Sequence, residues 1–99
     1  MGWINYDNGS TIGEIGSEGG NIVNDEELDN SSRITLEKLK DGYYSVTCGI
    51  YGAFVHTAWF GAEDAIQKYG QMKSDIEIIL SQKNDDEFYR LLRDFADKY

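Results

Sequence analysis

Residues 33–60 read RITLEKLKDGYYSVTCGIYGAFVHTAWF, and this stretch decides the fold. From Arg33 to Leu39, Ile34 and Leu36 point one way while Arg33, Thr35 and Glu37 point the other, the alternation of a half-buried strand. Lys40-Asp41-Gly42 interrupts it. A two-residue Asp-Gly turn would set Leu36 on the face of Thr47. A three-residue loop with Gly42 in the left-handed conformation pairs Leu36 with Val46 and Ile34 with Cys48 and keeps the apolar face continuous, so that register is expected. The next strand, Tyr43–Tyr51, leads to Gly52-Ala53, which suits a type II′ turn into Phe54–Phe60. This register puts Tyr44, Val46, Cys48, Ile50, Val55, Thr57 and Trp59 on the core face. Tyr43, Thr47, Gly49, Tyr51, Phe54, His56, Ala58 and Phe60 then share the other face.

Downstream the period changes from two to 3.6. Ala62, Ala65, Ile66, Tyr69, Met72, Ile76, Ile79 and Leu80 make one stripe of an amphipathic helix over 62–83. Glu63 and Asp64 in its first turn and Lys83 at its end suit the helix dipole. Asn84 and Glu87 form an Asn version of a capping box, and Phe88, Leu91, Leu92 and Phe95 line a second helix over 85–98. Upstream, six of the eleven glycines fall within residues 1–20, which read as an arm or loop, and Ile22-Val23 starts the sheet region, 22–60. Strands followed by helices indicate one α+β domain. The expected form is an antiparallel meander of three to four strands with two C-terminal helices on one face, leaving the other face open.

The chain has 99 residues, with 18 acids, nine bases and a net charge of −9. A two-domain enzyme is excluded by length, and no apolar run is long enough for a membrane helix. Such a charge repels nucleic acid and anionic membranes and attracts a basic protein. Residues 1–32 carry seven acids and no base, against eleven acids and nine bases in 33–99. A lone cysteine and an N-terminus without a basic or apolar signal region make the cytoplasm the expected location.

Few residues suggest chemistry. Cys48 and His56 could form a thiol–imidazole pair, but the register above sends them to opposite faces, and no ligand spacing for zinc surrounds them. Gly13–Gly20 has the look of a phosphate loop without the Lys-Ser/Thr or the G-x-G-x-x-G spacing, and it carries Glu14 and Glu18. An EF-hand counted from Asp25 would need Gly at 30 and Glu at 36, where Asn30 and Leu36 stand. No catalytic residue, metal or cofactor is therefore expected.

The segments GSEGGNIVNDEEL (16–28), RITLEKL (33–39) and SVTCGIYGAFVHTAWF (45–60) resemble a family of small, poorly characterised bacterial α+β proteins. In size and acidity the chain is also similar to bacterial immunity proteins, which bind and neutralise a cognate toxin. The uneven charge and the open aromatic face suit a non-enzymatic protein that masks a basic partner, an immunity protein being one such case. Asp25, Glu26, Glu27 and Asp29 would steer and pair its cations, and Tyr51, Phe54 and His56 would supply desolvated contact area. Two other readings stand beside it. One is a small enzyme or ligand binder with a pocket between the sheet and the N-terminal loop near His56; the other is a homodimer through the open face.

Overall fold

The computed structural model describes residues 2–99. Its core element is a five-stranded antiparallel sheet in strict sequence order: β1 (Trp3–Asn5), β2 (Asn21–Leu28), β3 (Ser32–Lys38), β4 (Tyr44–Ile50) and β5 (Phe54–Phe60). Two helices follow, α1 (Ala62–Leu80) and α2 (Asp85–Lys98). The α+β class and the two C-terminal helices are as expected, but the sheet has five strands rather than three to four. The extra strands come from the acidic stretch and the N-terminus. Residues 24–28 alternate faces, so Glu26 and Leu28 face the helices while Asp25 and Glu27 face away.

The β3–β4 hairpin adopts the anticipated register, with Ile34 opposite Cys48 and Leu36 opposite Val46. The Leu39 and Tyr43 backbones close its loop, and Gly42 has φ +90°. The β4–β5 hairpin differs by one residue. Ile50, not Tyr51, pairs with Phe54, and the loop is Tyr51-Gly52-Ala53. The Ala53 N–H donates to the Ile50 carbonyl at 2.9 Å, and Gly52, at φ +80°, occupies the second central position of that turn. A glycine serves either geometry, because only the placement of its positive φ differs. Every face assignment in β5 reverses as a result. Phe54, His56, Ala58 and Phe60 turn toward the helices, while Val55, Thr57 and Trp59 look outward. Alternation could not decide between them, since both faces of FVHTAWF are apolar.

The core lies between the sheet and the helices. Ile34, Leu36, Val46, Cys48 and Ile50 are buried against Ala65, Tyr69, Met72, Ile76 and Ile79 of α1 and Leu92 and Phe95 of α2. Phe95 meets Phe54 and His56 edge-on, with ring centroids 5.6 and 5.9 Å apart. Ile66, counted in the α1 stripe, is exposed instead. Asn84 caps α2 as its capping box implies, its side chain accepting the Glu87 N–H at 3.1 Å. At the other end of the chain, Trp3 also faces the helices, and its indole N–H donates to Glu77 of α1 at 3.0 Å.

Candidate functional site

The face turned away from the helices is partly roofed by the segment between β1 and β2. A short 3-10 turn, Tyr6–Gly9, opens this arm. Its far end is tied to β2, where Gly13 N–H donates to the Ile22 carbonyl (2.8 Å) and Ile22 N–H donates to the Glu14 carbonyl (2.9 Å). A bulge between Ile22 and Asn24 turns Ile22 to this face, where the arm buries it.

Beneath the arm lies Asp25, fully buried and opposite Thr35. Its Oδ1 accepts from Arg33 Nε (2.9 Å) and Thr35 Oγ1 (3.0 Å), and its Oδ2 accepts from Arg33 Nη2 (2.7 Å) and Thr11 Oγ1 (2.8 Å). The Arg33 guanidinium lies over the Tyr6 ring at 3.6 Å. Burial alone would raise the Asp25 carboxyl, but the hydrogen bonds from Arg33, Thr11 and Thr35 outweigh it and hold the group below its usual range. Four donors occupy the acceptor sites of this carboxylate, so it has no lone pair left for acid–base work or for a partner.

The second buried acid is Glu37. Its carboxylate accepts the Gly20 N–H at 3.1 Å and the Glu18 N–H at 3.2 Å. Loop 16–20 closes on itself through Gly19 N–H to Gly16 O and Gly16 N–H to Gly20 O. The glycine loop with the look of a phosphate site thus grips an anion from its own chain, the physical behaviour of a backbone nest. Gly16 packs so closely that a Cβ there would stand 2.6 Å from both Glu37 oxygens.

Beside these groups a cleft of about 740 Å³ opens between the arm and the sheet. Thr11 and residues 14–17 of the arm and residues 51–55 of the β4–β5 turn form its walls, and Thr35, Thr47 and Gly49 form its floor. Ile15, Tyr51 and Val55 are exposed around it. Glu14 and Glu37 line it, and its one basic lining residue is Arg33, whose charge Asp25 already matches.

The anticipated contact residues are divided by this geometry. Asp25 is internal. Glu26 faces α1, accepting from Tyr69 Oη (2.6 Å) and Lys73 Nζ (2.9 Å). Glu27 stays at the surface and accepts from Tyr51 Oη at 2.8 Å. Burial, with the carboxylate of Glu27 beside it, pushes the Tyr51 hydroxyl up to about 12. Asp29 is exposed in the β2–β3 turn, with φ +47°. Phe54 and His56, read as lying on the open face, face the helices because of the one-residue shift in the β4–β5 loop. His56 therefore cannot serve a pocket on the arm side, and its Nε2 is buried without a hydrogen-bond partner among the described residues.

The same shift makes His56 the cross-strand neighbour of Cys48 on one face, where opposite faces were expected. Proximity does not make a catalytic pair here. Burial pushes the Cys48 thiol up to about 12, so no useful thiolate fraction exists near neutral pH. The His56 ring instead lies parallel to Phe54 and edge-on to Phe95.

In the sequence, Arg33, Thr35 and Glu37 are only the polar side of a strand, Tyr6 belongs to the arm, and Thr11 has no assigned role. A signal existed for some of them. Once 24–28 is taken as a strand, its hairpin with β3 puts Asp25 on the face of Arg33 and Thr35. The sequence does allow the arm, with Tyr6, to fold over this face, but nothing in it singles out Thr11 as a donor to Asp25. No protein-family model matches the chain, and neither a curated protein nor a solved structure matches it. No helix among the described residues is long and apolar enough to cross a membrane.

Proposed function

We propose that this is a non-enzymatic binding protein that masks a basic protein partner with the arm-side face of its sheet, in the manner of an immunity protein acting on its toxin. The cleft carries the reading. It is a largely apolar recess with Glu14 at its edge and exposed Ile15 and Tyr51 beside it, and its single basic lining residue is already neutralised. A Lys or Arg side chain suits such a recess, because its alkyl stem can lie on apolar walls while its head reaches a carboxylate. Glu27 and Asp29 add charge on the surface, and the excess of acid over base favours fast encounter with a cationic protein.

The same residues speak against catalysis: Asp25 is saturated with donors, Glu37 is enclosed by backbone, and the Cys48 thiol is protonated. A second reading, a small apolar ligand in the cleft, is supported by its volume, which lies in the range of ligand pockets.

Affinity capture from native lysate with the wild type and with the Glu14→Lys and Ile15→Ser variants separates the two. A basic protein retained by the wild type, released by salt and lost from both variants supports masking. Capture that ignores both substitutions, or no captured basic protein, would overturn it. A small molecule co-purifying in native mass spectrometry would favour the second reading.

A further inference from the structure

The two edges of the sheet are unequal. β1 has three residues, while β5 has seven and is unpaired on its outer side among the described residues. Long exposed edges invite further pairing, and monomeric proteins blunt them with charge, proline or a bulge. Residues 54–60, FVHTAWF, have no Lys, Arg, Asp, Glu or Pro, in a chain with 27 charged residues. Val55 and Trp59 are 76% and 56% exposed on the outward face of this same strand.

We propose that β5 pairs antiparallel with β5 of a second copy, making a ten-stranded continuous sheet across a two-fold axis at Thr57. The register is self-complementary. With Thr57 opposite its own copy, each Val55 stands opposite the other chain's Trp59, each His56 opposite Ala58, and each Phe54 opposite Phe60. Every pair sets a residue against one on the same face, as antiparallel pairing demands, and the two exposed apolar side chains cover one another. The isologous form closes at two copies and leaves no β5 edge free.

Charge selects this occupant. A basic strand from another protein would find no carboxylate in β5, whereas a second β5 meets an uncharged surface despite the chain's net −9. Pairing over a strand length of ~23 Å and covering both Val55–Trp59 pairs buries on the order of 1,000 Å², the lower limit of a specific interface, so a micromolar dimer is expected. Both helix layers then lie on one side and both clefts on the other. The proposal does not depend on what those clefts bind.

Sedimentation equilibrium over a concentration series tests it. The mass should rise from 11.2 kDa to twice that value. Thr57→Lys, which sets like charges opposite each other at the axis, should raise the dissociation constant at least about tenfold. Val55→Lys, at a site that is mostly solvent-exposed, should act in the same direction with the fold undisturbed. Thr57→Cys should form a disulfide-linked dimer on mild oxidation, because directly opposed strand residues lie within disulfide reach. A mass of 11.2 kDa at every concentration up to ~1 mM, well above a micromolar dissociation constant, would overturn the dimer. So would dimerisation unaffected by Val55→Lys, which would assign association to another surface.

Discussion

On the helix face of the sheet, Ile34, Leu36, Val46 and Cys48 are shut away by apolar contact with α1 and α2. On the arm face, Asp25 and Glu37 are just as deeply buried, but each is held by named donors: Arg33, Thr11 and Thr35 for one, two backbone amides for the other. The first kind of burial is roughly proportional to area and tolerant of shape. The second is all or nothing, because a buried charge that loses its partner keeps its desolvation cost. One sheet is therefore covered by two mechanisms. The layer that depends on directed bonds is also the one that leaves a cleft.

The largest expected effect falls on the apolar face. Met72 is fully buried, and Met72→Ala should cost about 3–4 kcal/mol in urea unfolding, removing much of the stability of a domain this small. A loss below about 1 kcal/mol would mean that burial on the helix face does not scale with the apolar area removed from water, as the comparison requires.

Asp25→Ala should come next, at about 2–3 kcal/mol, below the usual cost of breaking a buried pair because the Arg33 side chain is 36% exposed and can reach water. The pair also sets a pH dependence. The Asp25 carboxyl lies below its ordinary 3.8 in the folded chain, so on acidification the unfolded chain takes up this proton first. Its stabilisation is complete above the unfolded value and is lost as the pH falls through the folded one. The gap in unfolding free energy between wild type and Asp25→Asn should therefore narrow below about pH 4. A gap constant to about pH 2 would show that this carboxylate is not what the arm depends on.

Gly16→Ala is the smallest and most local change, at about 1–2 kcal/mol, because the added methyl meets the Glu37 carboxylate and the surface loop must lift to admit it, which lets water reach that carboxylate. Hydrogen exchange should show residues 10–20 losing protection while β3 and β4 keep theirs. Uniform loss across the sheet would show that arm and core unfold as one unit.

The two hairpins show what could be read in advance. In β3–β4 one strand alternates apolar and polar residues, so only one loop length sets Val46 and Cys48 on the face of Ile34 and Leu36, and the sequence settles it. In β4–β5 both faces carry large apolar residues, and a glycine permits either turn. That choice moved Phe54 and His56 away from the anticipated site. The acidic stretch divides for a related reason. Its charges look solvated in isolation, yet Asp25 and Glu26 find Arg33, Lys73 and Tyr69 through strand pairing and helix packing. Of the anticipated contact residues, Glu27, Asp29 and Tyr51 remain at the surface.

Local periodicity determined the α+β class, the two helices with the Asn84 cap and the β3–β4 register. These features depend on neighbours within a few residues, so the chain states them directly. Only the tertiary structure decided the five-stranded order, the face of every β5 side chain, the anion grip of loop 16–20 and the cleft beneath the arm. Each of these requires groups far apart in the chain to meet, as Glu18 meets Glu37 and Trp3 meets Glu77. No local pattern encodes which distant donor will satisfy a buried acceptor.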